Sequence, residues 1–375
     1  MTAGGDDGAG GATYASAGVD IAAGDSAVGR IREHVASTAR PEVLGGIGGF
    51  GGCFAFEPGR FAHPVLVAST DGVGTKALVA RDAGRFDSIG IDLVAMCVDD
   101  LVCVGAEPLF LLDYVVTGKL VPDQMEALVS GVANGCRQAG CALLGGEMAE
   151  HPGTMGPGEF DLAGFAVGAV EREAMLGADR VAVGDVLVGL ASPGLRSNGY
   201  SLARHVLLER AGLALEAPAW SGSDRTLADE LLLPSVVYAP AVLAAVAAAG
   251  VQSGGVHAAA HITGGGLPGN LNRVLPPGCD AMVERDSWST PPIFSEIQRL
   301  GDIDDAEMAR VFNLGLGLVM VVAADAVEAA LGALESAGQE AVVVGGIVEG
   351  TGRVQMPPGR SDEGRSDEGR SGGGR

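Results

Sequence analysis

Short apolar runs that stop at glycine loops recur along this chain and alternate with stretches of helical spacing. That alternation restricts the fold more than any other feature. It belongs to layered domains of strands and helices, and open sheets of that kind bind ligands at strand ends. Pro64 to Ser69 is one such run, ending at an Asp71 loop. Ser88 to Val104 and Pro122 to Ala139 have helical spacing. Leu109 to Val116 and Asp161 to Val170 read as strands, and Cys141 to Leu144 as a strand that stops at Gly145-Gly146-Glu147. A second half begins near Glu171, with strands over Val186 to Ser192, His257 to Ile262, Leu316 to Val322 and Ala341 to Val348. Its helices start at Tyr200, run from Leu227 to Val251 with interruptions at Pro234 and Pro240, and cover Ala326 to Ala337. The residues alone therefore predict two α/β halves, 13–170 and 171–357. Residues 1–12 are mostly Gly, Ala and Asp, and 358–375 carry a repeated S-D-E-G-R, so both ends are expected to be disordered.

The formal net charge is −23, which argues against nucleic acid and anionic membrane surfaces as partners. No apolar run reaches the length of a membrane span. The Gly-rich, acidic start does not read as a signal peptide. Six cysteines without a C-x-x-C pair point to reduced thiols and a cytoplasmic protein.

Against this acidic background, Thr70 to Lys76 reads T-D-G-V-G-T-K. Lys76 and Lys119 are the only lysines among 24 basic residues. A compact ammonium suits point-charge contact with a polyphosphate better than a guanidinium does. Asp71, between flexible glycines, suits a divalent cation on the same phosphates. The competing reading is a surface turn in an arginine-biased protein. Asp92 and Asp99 lie seven residues apart in an apolar helical stretch, hence on one face, with Asp100 slightly rotated. Carboxylates in so apolar a helix are costly unless solvated or paired with a cation. Together with Glu147 after its glycine pair, they favour a metal–phosphate site over a merely wet helix face. In the second half, Ser197-Asn198-Gly199 precedes a helix, and His261-Ile262-Thr263-Gly264-Gly265-Gly266 follows a strand, where glycines admit a ligand close to the backbone. There is no Walker A motif, Rossmann fingerprint or nucleophile elbow, which excludes a P-loop ATPase, a dehydrogenase and an α/β-hydrolase.

The ordered set of motifs resembles one family. R-P-E-V-L-G-G-I-G-G-F-G-G (Arg40 to Gly52), S-T-D-G-V-G-T-K (Ser69 to Lys76), I-G-I-D-L-V-A-M-C-V-D-D (Ile89 to Asp100), G-A-E-P-L-F-L-L-D-Y (Gly105 to Tyr114) and G-G-E-M-A-E-H-P-G (Gly145 to Gly153) are similar to those of phosphoribosylformylglycinamidine cyclo-ligases. So are S-N-G-Y-S (Ser197 to Ser201), H-I-T-G-G-G (His261 to Gly266) and F-N-L-G-L-G (Phe312 to Gly317), and the likeness runs from about Tyr14 to about Val354.

The resemblance implies an α+β N-terminal domain that builds a β-barrel shared across a homodimer, replacing the first reading of that half. An α/β, sandwich-like C-terminal domain follows. It also implies ATP-dependent, Mg²⁺-assisted closure of an imidazole ring on a ribonucleotide in purine biosynthesis. By resemblance, Gly48, Gly49, Phe50 and Gly51, with Asp71, Gly72, Gly74, Thr75 and Lys76, hold the ATP phosphates. Asp71, Asp100 and Glu147 ligate the metal with Asp92 nearby. Ser197, Asn198, Gly199, His261, Thr263, Gly264, Gly265 and Gly266 hold the substrate. Asp71, Lys76 and His261 are the catalytic candidates. Two residues depart from the family pattern: Arg196, where His is frequent, and Asp99, where Asn is common. Other ATP-dependent enzymes of the same superfamily, such as formylglycinamidine ribonucleotide synthetases and thiamine-phosphate kinases, and a non-catalytic dimeric scaffold are the alternatives.

Overall fold

The computed structural model describes residues 13–250 and 255–357. The segments expected to be disordered, 1–12 and 358–375, lie outside the described residues. The first half contains α1 (Ile21–Ala36), a small hairpin of β1 (Val43–Leu44) and β2 (Cys53–Phe54), β3 (Pro64–Gly72), α2 (Lys76–Ala83), α3 (Ile89–Cys103), β4 (Glu107–Thr117), α4 (Pro122–Ala139), β5 (Ala142–Glu150) and β6 (Phe160–Glu171). β3, β6, β4 and β5 form one sheet in that order, antiparallel except for the parallel pair β4–β5. Helices α3 and α4 cover one face of it.

The second half contains β7 (Val186–Ala191), α5 (Tyr200–Arg204), which continues as a π-helical turn over His205–Arg210, α6 (Leu227–Leu231), α7 (Ala239–Ala249), β8 (Val256–His261), α8 (Gly266–Leu271) and β9 (Cys279–Val283). Then come α9 (Pro292–Gly301), α10 (Asp305–Val311), β10 (Leu316–Val322), α11 (Val327–Ser336), β11 (Ala341–Glu349) and β12 (Val354–Gln355). Its sheet runs β12-β9-β11-β7-β10-β8, and only β12–β9 is parallel. Alternating strands and helices therefore do not make a parallel sheet here. β10 is buried along its whole length. Leu318 and Met320 join one apolar core, and Val319 and Val321 join a second on the other face of the sheet.

Several boundaries differ from the sequence expectation for identifiable reasons. The strand expected to stop at Leu144 runs on through Gly145, Gly146 and Glu147 to Glu150. Gly146 is glycine because a Cβ there would sit 1.6 Å from the Asp113 carboxylate on β4, a close approach within a sheet rather than a loop. Likewise β3 includes Asp71 and Gly72. Pro240 does not interrupt a helix. It sits in the first turn of α7, where its missing N–H costs nothing. The helices α1, α2, α9 and α10 and the strand β9 were not foreseen.

The element that joins the halves is α3. Every residue in it except Asp100 and Cys103 is buried. It packs on β3, β6 and α4 on one side and on β8 and α7 on the other, so a single core crosses the domain boundary. Asp92 and Asp99 are consequently placed at a junction rather than on a wet face.

Candidate active site

Asp92 and Asp99 do share a face of α3, and that face is turned into the second half of the chain. Lys76 begins α2 and is fully buried. Its Nζ lies 2.6 Å from Asp92 Oδ2 and donates to the carbonyls of Leu233 (2.7 Å) and Arg196 (3.0 Å). The ammonium thus has one ion-pair partner and two carbonyl acceptors around it. The other Asp92 oxygen accepts from the backbone N–H and the hydroxyl of Ser235, at 2.8 and 2.6 Å. Burial pushes the Lys76 ammonium below its usual range, and Asp92 opposes that shift. Lys76 is thus not an open point charge beneath a phosphate, as its loop suggested, but the centre of an inter-domain clamp. Asp92 belongs to the same clamp and not to a metal site.

Asp99 is equally enclosed. Its Oδ1 accepts from the N–H groups of Tyr238 (2.9 Å) and Ala239 (3.1 Å), and its Oδ2 lies 2.7 Å from Arg196 Nη2. The two departures from the family pattern are therefore one buried ion pair. Removal from water pushes the Asp99 carboxyl up, against the pull of Arg196.

Asp100, one residue on, turns out of the helix–helix contact and keeps 46% of its side chain exposed. Ser69 on β3 donates to its Oδ2 at 2.9 Å, and His261 Nδ1 lies 3.0 Å from its Oδ1. Burial opposes ionisation of Asp100, but these contacts outweigh it and hold the carboxyl below its usual range. Asp71, two residues along β3 from Ser69 and so on the same face, feels the charge of Asp100. Burial raises its pKa, the Gly72 N–H (2.7 Å) lowers it, and the Asp100 charge raises it further. Asp71 and Asp100 are thus near enough for one charge to act on the other, and such a pair could hold a divalent cation.

Glu147 does not join them. Strand pairing runs Asp71–Gly164–Asp113–Gly146 across the sheet, so Glu147 is on the adjacent pleat, facing the other way, and three strand spacings from β3, about 14 Å. Within one chain it is not a co-ligand of Asp71 and Asp100. The Gly48–Gly49 stretch also lies elsewhere. It lines a cavity of about 260 Å³ beside α1, together with Gly145, Gly146 and Glu147, while Phe50 is fully exposed.

Both second-half motifs come up to this part of the first half, where His261 meets Asp100 and Ser201 meets Thr75. Thr75 Oγ1 lies 3.2 Å from Ser201 Oγ, which ties the T-D-G-V-G-T-K turn to the first turn of α5, just after the Ser197–Gly199 loop. In that loop Ser197 Oγ and Asn198 Oδ1 are buried without a protein hydrogen-bond partner. Orphaned buried polar atoms are costly, and a ligand removes the cost. In the other loop, Asn270 Nδ2 gathers the carbonyls of Thr263, Gly264 and Gly266 at 3.2, 3.2 and 2.8 Å, fixing the turn after His261. Gly266 has φ +60°, and a Cβ there would fall 1.8 Å from the Ala309 carbonyl, so only glycine fits.

Sequence reasoning missed Ser69, Ser235 and Asn270 as positioning groups. Small polar residues outside glycine loops give no periodic or compositional signal. The pairing of Asp99 with Arg196 was invisible for a different reason: they are 97 residues apart.

Two family profiles match, "AIR synthase related protein, N-terminal domain" over residues 60–170 and "AIR synthase related protein, C-terminal domain" over 182–356. A phosphoribosylformylglycinamidine cyclo-ligase of Myxococcus xanthus (strain DK1622) is 54% identical over 342 residues, covering 91% of this chain and 97% of its own length. The chain belongs to the phosphoribosylformylglycinamidine cyclo-ligase family. A further member, from Trichlorobacter lovleyi, is 49% identical over 334 residues, 89% of this chain and 94% of its own. Among solved structures, thiamine-monophosphate kinase from Stenotrophomonas maltophilia K279a superposes with a TM-score of 0.64 at 21% identity, covering 90% of this chain and 97% of its own. Hydrogenase maturation protein HypE in complex with ATP gives 0.62 at 19%, over 88% and 90%. At such identities the likeness concerns the fold alone.

Proposed function

We propose that this chain is an ATP-dependent cyclo-ligase that converts formylglycinamidine ribonucleotide into 5-aminoimidazole ribonucleotide, ADP and phosphate. The family supplies the activity. The observation that ties it to these residues is the cleft in which Asp71 and Asp100 stand beside His261 and two ligand-ready loops. The formyl amide oxygen attacks the γ-phosphorus and ADP leaves. The amidine nitrogen then attacks the activated carbon, the ring closes, and phosphate departs with the bridging oxygen. Such chemistry asks mainly for positioning and charge stabilisation. Asp71 and Asp100 fit a Mg²⁺ that would neutralise charge on the phosphates, with Gly72, Gly74 and Thr75 alongside. Ser197 and Asn198 supply the unsatisfied atoms suited to the ribonucleotide, and the Thr263–Gly266 turn is assigned to the same substrate. Lys76 acts at one remove, by holding the Arg196 carbonyl and hence this loop.

The homodimer belongs to the same reading. The sheet face away from α3 and α4 carries Leu66 (66% exposed), Phe165 (42%) and Tyr114 (39%), with Val167 and Leu112 between them. Such an apolar face fits a second copy, as a shared barrel requires. Glu147 and the Gly48–Gly51 stretch would reach the nucleotide only through that second copy. The two domains are taken as 13–170 and 171–357, and six free cysteines fit a cytoplasmic setting. One assay tests the reaction: ADP release that requires formylglycinamidine ribonucleotide, with the cyclised product identified by mass. ADP release without that substrate, or with no loss of water from it, would refute it. Light scattering tests the assembly, and Phe165→Asp should yield monomers.

A further inference from the structure

Arg196 occupies an unusual position. Its backbone is left-handed (φ +63°), its side chain is buried, and its guanidinium stacks 4.6 Å from the centre of the Tyr238 ring. A non-glycine residue holds such a conformation only where its surroundings over-determine it. Nη1 donates to the Val236 carbonyl at 2.9 Å. Nη2 has two hydrogens and two partners: Asp99 Oδ2 at 2.7 Å and His261 Nε2 at 3.0 Å. A guanidinium has donors only, so Nε2 of His261 must accept. The ring proton is then on Nδ1, which faces Asp100 Oδ1 at 3.0 Å, while Ser69 fills the other Asp100 oxygen. The result is one chain of directed hydrogen bonds, from the Tyr238 and Ala239 N–H groups through Asp99, Arg196 and His261 to the cleft carboxylate.

We propose that Asp99 and Arg196 form a single positioning unit that fixes the His261 tautomer and, through it, the orientation of Asp100. Neither residue touches the reacting atoms. Arg196 keeps Nε2 occupied, and Asp99 keeps Arg196 in place by neutralising a cation that would otherwise be stranded. The unit also explains why the cleft tolerates a charge on both residues: each removes the desolvation problem of the other.

The inference uses the proposed reaction only for its kinetic arm, so a spectroscopic arm stands beside it. In ¹⁵N-histidine-labelled protein, His261 should show its proton on Nδ1, shared with Asp100, and a bare Nε2 that accepts from Arg196. Arg196→Met strands Asp99 and should lower the melting temperature, whereas Asp99→Asn with Arg196→Met removes both charges and should recover most of that loss. If the pair only supports the fold, turnover returns with stability. If it positions His261, the double variant regains stability but keeps a turnover lower by about tenfold or more, and its His261 spectrum shows Nε2 protonated. Recovery of turnover together with stability, or an unchanged His261 spectrum in the double variant, overturns the proposal. So does a wild-type spectrum with the proton on Nε2. Should Arg196→Met not fold, the double variant alone carries the test. Should the chain lack the cyclo-ligase reaction, the spectra still decide.

Discussion

Asp92 and Asp100 sit on the same helix, eight residues apart, and do opposite work. Asp92 is sealed against Lys76 and Ser235, with every oxygen serving the fold. Asp100 has a hydroxyl and an imidazole as its direct partners among the described residues, and nearly half its side chain in the open. A carboxylate already bound to an ammonium has no capacity left for a metal. One held ionised by hydrogen bonds beside a second carboxylate has capacity to spare. Chemical type and helical spacing do not separate these two cases; the partner does.

The sharpest way to break the contrast is Asp100→Asn. Removing the cleft charge should lower turnover by about two to three orders of magnitude, the scale of losing one preorganised electrostatic group, with little change in melting temperature. Asp71→Asn should behave alike. An intact turnover in both would remove the metal–phosphate reading of the cleft.

Lys76→Met should do the reverse. It leaves Asp92 as a buried, uncompensated charge, so unfolding free energy in urea should fall by about 3–5 kcal/mol. Adding Asp92→Leu should restore much of that stability, because replacing both members of a buried pair is often neutral. A Lys76→Met variant as stable as the parent would show that the clamp carries no weight.

Ser235→Ala tests the clamp more gently. Asp92 keeps the Ser235 N–H and Lys76 but loses a 2.6 Å hydroxyl contact. The expected cost is about 1–3 kcal/mol, without a specific fall in turnover.

The smallest effect concerns a carboxylate remote from both. Asp280 accepts from the N–H groups of Arg353 and Thr351 and from the Gln355 amide, which lower its pKa from 3.8 to about 2. A depressed folded pKa means stabilisation that is present above the ordinary value and lost as pH falls through the folded one. The melting-temperature difference between the parent and Asp280→Asn should therefore be constant above pH 4 and shrink towards pH 2. A difference that grew on acidification would contradict the assigned contacts.

Much of this was legible in the residues. The span of α4, four of the six strands of the second half, and the shared face of Asp92 and Asp99 follow from local spacing. Lys76 shows where such reading stops. Its scarcity flagged it, but scarcity does not say which way an amine points, and here it points inward. Glu147 shows the same limit for sheets. A Gly-Gly-Glu run looks like a loop until the neighbouring strand supplies Asp113 against Gly146. After that, the pleat decides the face of every following residue.

The sequence by itself thus determined many of the elements and the family they belong to, because periodicity, turn chemistry and ordered motifs act over a few residues at a time. Only the tertiary structure decided which carboxylate is a clamp and which is open, and that Asp99 and Arg196 are one unit. Those facts depend on contacts between segments about a hundred residues apart, and the burial that makes such contacts strong exists only after the halves have closed on α3.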